Sequence, residues 1–312
     1  MPLSTFGLGG GSSLSSHPHL HRLPPLHRWW AAVGTRNPRT TTTALVLVVC
    51  VAAPAAYLAL AKRSLGRRTE ARPTRVGSPR SGSAKDGDGE GILAGTLAPL
   101  PDEVMTSEAD AGFVVAREAV CSRPFPVASL KPEFVRRRSG LGLGLGVDAG
   151  AGADVEVSEV DKDAMVSTFL RSSMRLFART PQAVLMRRLM ITGDAAASFE
   201  AAYLDACAFA VGDRVCGVYV VAERRAADGA AVLRLSPPEG WSGPRPEGVL
   251  AVAVVEDRDG EEKGKELRFV NETVLWRRAG DAPTVLEGRV GAWLHELMVR
   301  WFVVRAVDAV TV

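Results

Sequence analysis

Between Val215 and Arg278 the apolar residues of this chain recur every second position, and that change of period constrains the fold more than any other feature. The runs VCGVYVVAER, AAVLRL, GVLAVAVVE and ELRFVNETVLWRR read as four strands. Gly212-Asp213 precedes them, and Asp228-Gly229, Pro237-Pro238-Glu239-Gly240 and Asp259-Gly260 separate them with turn chemistry. Such local turns predict an antiparallel meander. The chain then closes on VLEGRVGAWLHELMVRWFVVRAV, where Leu286, Val290, Trp293, Leu297, Trp301 and Val304 follow a 4-3-4-4-3 spacing, the mark of a long amphipathic helix. A helix with two tryptophans on its apolar stripe has to cover something large, and the meander is the available surface. The fold class that follows is α+β: an antiparallel sheet with a long C-terminal helix packed on it.

Upstream, FVVAREAV (Phe113 to Val120) has the β-branched and aromatic content of a first strand. Met165, Val166, Phe169, Leu170, Met174, Leu176 and Phe177 recur at helical intervals behind Asp161 and Asp163, acids suited to the positive end of a helix. Thr180-Pro181 reads as an N-cap with proline at the first helical position of a second, short helix through Val184, Leu185 and Leu189. SFEAAYLDACAF (Ser198 to Phe209) fits a third helix or a strand, with Phe199, Tyr203 and Cys207 at four-residue spacing favouring helix. The Gly-rich stretch at 139–153 is read as a flexible insertion. Gly144-x-Gly146-x-x-Ala149 resembles a dinucleotide fingerprint, but RRRS precedes it and an acidic loop follows it, where such a site needs a strand and then a helix.

The N-terminal third is different in kind. Residues 1–40 form a basic tail with no Asp or Glu before Glu70, so the net charge of +3 belongs to the tail and not to the domain. The domain, expected over 111–312, carries mixed charge, and nucleic acid is not an expected partner. Residues 41–61 include the uncharged run ALVLVVCVAAPAAYLALA and are expected to be a transmembrane helix. Arg22, Arg28, Arg36 and Arg39 lie before it; Lys62, Arg63, Arg67, Arg68, Arg72, Arg75 and Arg80 lie after it. The heavier basic side stays in the cytosol, which places the domain there, or in the mitochondrial matrix if the tail is a presequence. Residues 62–110, rich in Gly, Ser, Pro and charge, read as a disordered tether.

Little chemistry is marked. Of five histidines only His295 lies in the domain, so any nucleophile–histidine system would have to use it. There is no Cys-x-x-Cys pair, no second histidine near His295-Glu296 for zinc, and no Gly-x-Ser-x-Gly elbow. Cys207 and Cys216 are expected as core residues. No cofactor and no metal site are indicated, and whether the chain is an enzyme stays open, with Asp205 or Glu272 as acid/base candidates.

In ELRFVNETVLWRR, alternation places Leu267, Phe269, Asn271, Thr273 and Leu275 on one face and Val270, Glu272, Val274 and Trp276 on the other. If the first face looks inward, Asn271 and Thr273 can orient a ligand in an apolar pocket; if the second does, Glu272 needs a partner such as an arginine. Asn271-Glu272-Thr273 also reads as a glycosylation acceptor, and a cytoplasmic domain makes it meaningless.

The order strand, two helices, meander and final helix resembles the helix-grip arrangement of the START-related superfamily. The segments GDRVCGVYVV, FVNETVLWRR and LEGRVGAWLHELMVRW are also similar to those of uncharacterised fungal single-pass membrane proteins. The helix-grip resemblance implies an apolar cavity between sheet and last helix. Asn271, Thr273 and Trp293 are then the candidate ligand-binding residues, and the expected function is a membrane-tethered module for a lipid- or isoprenoid-like ligand. The alternative is a membrane-anchored scaffold or assembly factor without ligand or catalytic activity.

Overall fold

The computed structural model describes residues 53–77, 97–106, 112–137, 157–189, 193–237, 247–257 and 265–312. The elements run in the order α1 (Ala53–Gly66), β1 (Thr69–Gly77), α2 (Asp102–Thr106), β2 (Phe113–Ser122), β3 (Phe125–Pro126), β4 (Val135–Arg137) and β5 (Val157–Val160). They continue with α3 (Lys162–Phe177), α4 (Pro181–Leu189), α5 (Asp194–Ala197), α6 (Ala201–Ala206), β6 (Arg214–Val215), β7 (Tyr219–Arg225), β8 (Ala230–Leu235), β9 (Glu247–Asp257), β10 (Glu266–Arg278) and α7 (Arg289–Val310).

The sheet has the order β1-β2-β10-β9-β8-β7-β6, antiparallel at every pairing, and β3 extends the β2 side of β10. The meander β7 to β10 pairs antiparallel strand by strand, and β10 returns to pair β2 along nine residues, Val270 against Cys121 through Arg278 against Phe113. In the β7–β8 turn Gly229 adopts φ 59°, a left-handed conformation that glycine takes without a Cβ penalty. The strand expected over VCGVYVVAER is split: Arg214–Val215 and Tyr219–Arg225 are separate strands, with a turn whose Cys216 has φ 47°. The Pro237–Gly240 and Asp259-Gly260 turns lie, in all but Pro237, outside the described residues, as does the Gly-rich stretch. That stretch separates β4 from β5, which pair with each other.

Helices start where the sequence supplies caps. Asp161 accepts a hydrogen bond from the Ala164 amide at 2.9 Å and opens α3, and Thr180 accepts one from Ala183 at 3.2 Å and opens α4. The Ser198–Phe209 segment is helical over Ala201–Ala206 only. α3 presents Met165, Val166, Phe169, Leu170, Met174 and Phe177 to the main core, where Phe169 meets Phe269 of β10 with ring centroids 5.2 Å apart. α7 covers the same face with Val299, Phe302, Val303, Ala306 and Val310. Its C-terminal end is tied down by Lys131, whose amide and Nζ donate to the carbonyls of Val310 and Ala309.

The stripe expected on α7 is partly out of phase. Leu297 and Val304 are buried, but Val290 and Trp301 are exposed. The helix is apolar over more of its circumference than one stripe requires, so spacing alone did not identify the face that docks.

The opposite face of the sheet is covered as well. Ala98 and Val104 pack with Val115, Val232, Val249, Ala251, Val274 and Trp276. Of the tether expected over 62–110, residues 62–66 complete α1, 69–77 form β1 and 97–106 lie on the sheet, while 78–96 and 107–110 lie outside the described residues. β1 keeps its arginines and Pro73 because it is an edge strand, paired only to β2, with a register shift between Arg72 and Arg75. Over 69–77 and 97–106 composition signalled disorder where the chain is an edge strand and a strap.

Of the span expected over 41–61, residues 41–52 lie outside the described residues and 53–61 belong to α1. Among the described residues no helix is long and apolar enough to cross a membrane. The basic tail at 1–40 also lies outside them. The compact unit that carries the sheet runs from Leu60 to Val312.

Candidate functional site

The two faces of β10 are both buried, so the alternatives posed by its alternation are both realised. Phe269, Asn271, Thr273 and Leu275 face the helices, while Val274 and Trp276 face the strap. On the strap face Glu272 is almost wholly satisfied. Its Oε1 accepts from Arg117 at 2.7 Å, and its Oε2 accepts from the amides of Leu97 at 2.7 Å and Ala98 at 3.0 Å. Arg225 adds a bond to the Leu97 carbonyl at 3.3 Å. A carboxylate held by an arginine and two amides is a clamp for the strap, with both oxygens committed. Asp205, the other acid/base candidate, is a surface residue paired with Arg175 at 2.9 Å.

On the helix face the polar residues collect beneath the N-terminal half of α7. Glu118 of β2, 2 % exposed, accepts at Oε1 from or pairs with Nδ1 of His295 at 2.8 Å, and its Oε2 accepts from the Thr74 hydroxyl at 3.3 Å. Thr74 reaches it because it lies in the β1 register shift, where an irregularity re-aims a side chain. Thr273 is the cross-strand partner of Glu118, and Asn271 is the partner of Val120 on one side and Val252 on the other. Asn271 is 3 % exposed, and its Oδ1 has no hydrogen-bond partner. An unmet buried carbonyl costs about 1–3 kcal/mol and calls for an account. The sequon asparagine is thus in a buried strand and cannot carry a glycan in the folded chain.

Sequence reasoning placed Asn271, Thr273 and Trp293 at one site. The structure brings the first two onto one patch with Glu118 and His295. Trp293 is two residues from His295 and so projects from nearly the opposite side of α7; its ring lies 5.7 Å from the Lys62 ammonium, which also bonds Glu296 at 3.1 Å. Trp293 therefore joins α7 to α1 and is not part of the patch. Glu118 was missed. Its one signal was a lone acid inside FVVAREAV, at a strand position that alternation assigns to the same face as Val120.

A carboxylate on Nδ1 sets the orientation of an imidazole and leaves Nε2 as the free end. Among the described residues no hydroxyl or thiol hydrogen-bonds to His295, and burial pushes the Cys121 and Cys216 thiols up to about 12. No group of three metal-ligating side chains occurs among the described residues. Beside the polar patch the surroundings are apolar: Ala116, Leu275 and Leu286 pack together on the same side of the sheet. No protein-family model matches the chain, and no curated protein and no solved structure does either.

Proposed function

We propose that the chain is a membrane-tethered module whose α+β domain holds an apolar ligand between the sheet and α7 in the helix-grip manner. The observation that carries this reading is the Asn271 carbonyl, buried in the interface between sheet and helix with no partner in the protein. It sits in a patch with Thr273, Glu118 and His295, and a ligand group that meets it removes the cost of leaving it bare. The order β2, helices, β6 to β10 and α7, with β10 returning to β2, supports the helix-grip comparison. The uncharged run from Ala44 to Ala61 and the arginines after it support a tether with the domain on the cytoplasmic side; the mitochondrial inner membrane with a matrix-facing domain is the second location.

A second reading, a scaffold or assembly factor, is favoured by the exposed apolar side chains of α7. Val290 is 72 % exposed, Leu294 46 % and Trp301 39 %. The full chain, purified and extracted with organic solvent, separates the two. An apolar molecule recovered at near-stoichiometric amounts by mass spectrometry supports the module, and its repeated absence, with a partner protein retained through Leu294, supports the scaffold. Protease protection of fluorescent fusions at each terminus reads the topology: a C-terminal fusion cleaved in intact cells, or protected in permeabilised cells but cleaved in mitoplasts, would fit neither location.

A further inference from the structure

Resting on that reading, we infer that the ligand ends in a neutral hydrogen-bond donor, a hydroxyl, and that the site rejects a carboxylate head group. The polar surface facing the helix side carries a negative carboxylate, Glu118, whose oxygens meet His295 and Thr74, and one unpartnered acceptor, Asn271 Oδ1, on the adjacent strand of the same face. With Glu118 ionised, it and His295 together carry one negative charge beside a neutral imidazole and none beside a protonated one, so the pair adds no net positive charge to the patch.

The cations around it are committed elsewhere. Arg300 bonds Glu296 at 2.7 Å and the Thr69 hydroxyl at 2.8 Å, Lys62 bonds Glu296, and Arg117 lies on the other face with Glu272. A second carboxylate brought beside Glu118 would be a like charge at low dielectric, and one of the two would have to take up a proton. A hydroxyl meets no such opposition. It donates to the asparagine carbonyl and accepts from the amide nitrogen, so it suits the Asn271 side chain in either orientation of the amide. The His295 Nε2 is a further partner at the helix side of the same patch.

The test compares two chain-matched probes on the full-length chain in lipid nanodiscs: a diazirine-bearing hexadecan-1-ol and the corresponding hexadecanoic acid. Photolabelling is mapped to peptides of β10 and α7. The alcohol is expected to label these peptides about tenfold more efficiently than the acid, the factor corresponding to one hydrogen bond gained. Glu118→Gln is expected to narrow the gap by raising labelling by the acid, and Asn271→Leu to lower labelling by the alcohol. The comparison on the unsubstituted chain needs no variant to fold. Equal labelling, or preference for the acid, overturns the head-group inference and leaves the ligand reading standing. Labelling of β10 and α7 by neither probe, with labelling confined to the nanodisc-facing tail, overturns both.

Discussion

Asn271 and Glu272 are neighbours on β10, equally buried, and their surroundings are opposite. Glu272 has an arginine and two backbone amides on its two oxygens, and the strap that supplies the amides lies flat on the sheet because of them. Asn271, on the other face, leaves its carbonyl bare. The strap face is closed by polar bonds made within the protein, while the helix face keeps a polar group in reserve. A buried group of the first kind is structural, and one of the second kind costs stability and calls for an explanation, which the proposed ligand supplies. The helix face itself divides in the same way: under α3 it is filled by Phe169, Phe269, Leu170 and Met165, and under the start of α7 it is lined by Glu118, Thr273 and His295.

The filled part of the helix face should be the most sensitive to truncation. Phe269 is fully buried, with the rings of Phe125 and Phe169 on it at 5.9 and 5.2 Å, and Phe269→Ala is expected to cost about 4 kcal/mol in urea unfolding. A cost below about 1 kcal/mol would mean that the core under α3 is not packed as described.

The neighbours on β10 should then move in opposite directions. Glu272→Ala leaves Arg117 and the strap amides without their acceptor and is expected to destabilise by about 3 kcal/mol, with new protease cleavage within 97–106. Asn271→Leu removes an unsatisfied carbonyl and is expected to be neutral or stabilising by about 1 kcal/mol in the ligand-free chain. Two variants that destabilise alike would erase the contrast between the faces.

At the turn into α7, the Arg277 hydrogen bonds and the Thr284 amide hold the Glu287 carboxyl down to about 2. Because the folded value is depressed, the stabilisation is fully present above the ordinary carboxylate range near 4.5 and is lost as pH falls through about 2. Carbon-detected NMR titration should show Glu287 as the late-titrating carboxyl, and Arg277→Ala should return it toward the ordinary range. A Glu287 midpoint near 4.5 in the unsubstituted chain would show that the ion pair does not persist. The smallest effect belongs to the surface: Asp205→Ala breaks an exposed pair with Arg175 and is expected to change stability by less than about 0.5 kcal/mol. A cost above about 1 kcal/mol would show that the pair is more than a surface contact.

Much of the architecture was legible before the structure. AAVLRL and ELRFVNETVLWRR are strands over the residues that their alternation marked, GVLAVAVVE is a strand lengthened by one residue at each end, Thr180 caps its helix as expected, and Asp161, expected as an acid at the helix start, caps its own. Cys207 and Cys216 are core residues. The site was half legible. Asn271 and Thr273 could be found because a polar pair on an apolar strand face stands out. Glu118 and Thr74 could not, because their meeting depends on the β1–β2 register and on a displaced edge residue that no short-range pattern encodes. Trp293 lies apart from Asn271 and Thr273 for a related reason: α7 is apolar around most of its circumference, and only its partners decide which side meets which.

What the residues alone determined is the local period of each segment, the caps and turns that bound it, and the pairing of faces along β10, because these follow from side-chain geometry within a few residues. What only the tertiary structure decided is that both faces of the sheet are covered, that a Gly-, Pro- and Arg-rich stretch supplies an edge strand and a strap, and that an acid from one end of the domain meets its single histidine from the other. Those outcomes depend on contacts between residues about 150 or more positions apart, and such contacts form only when the whole sheet is in register.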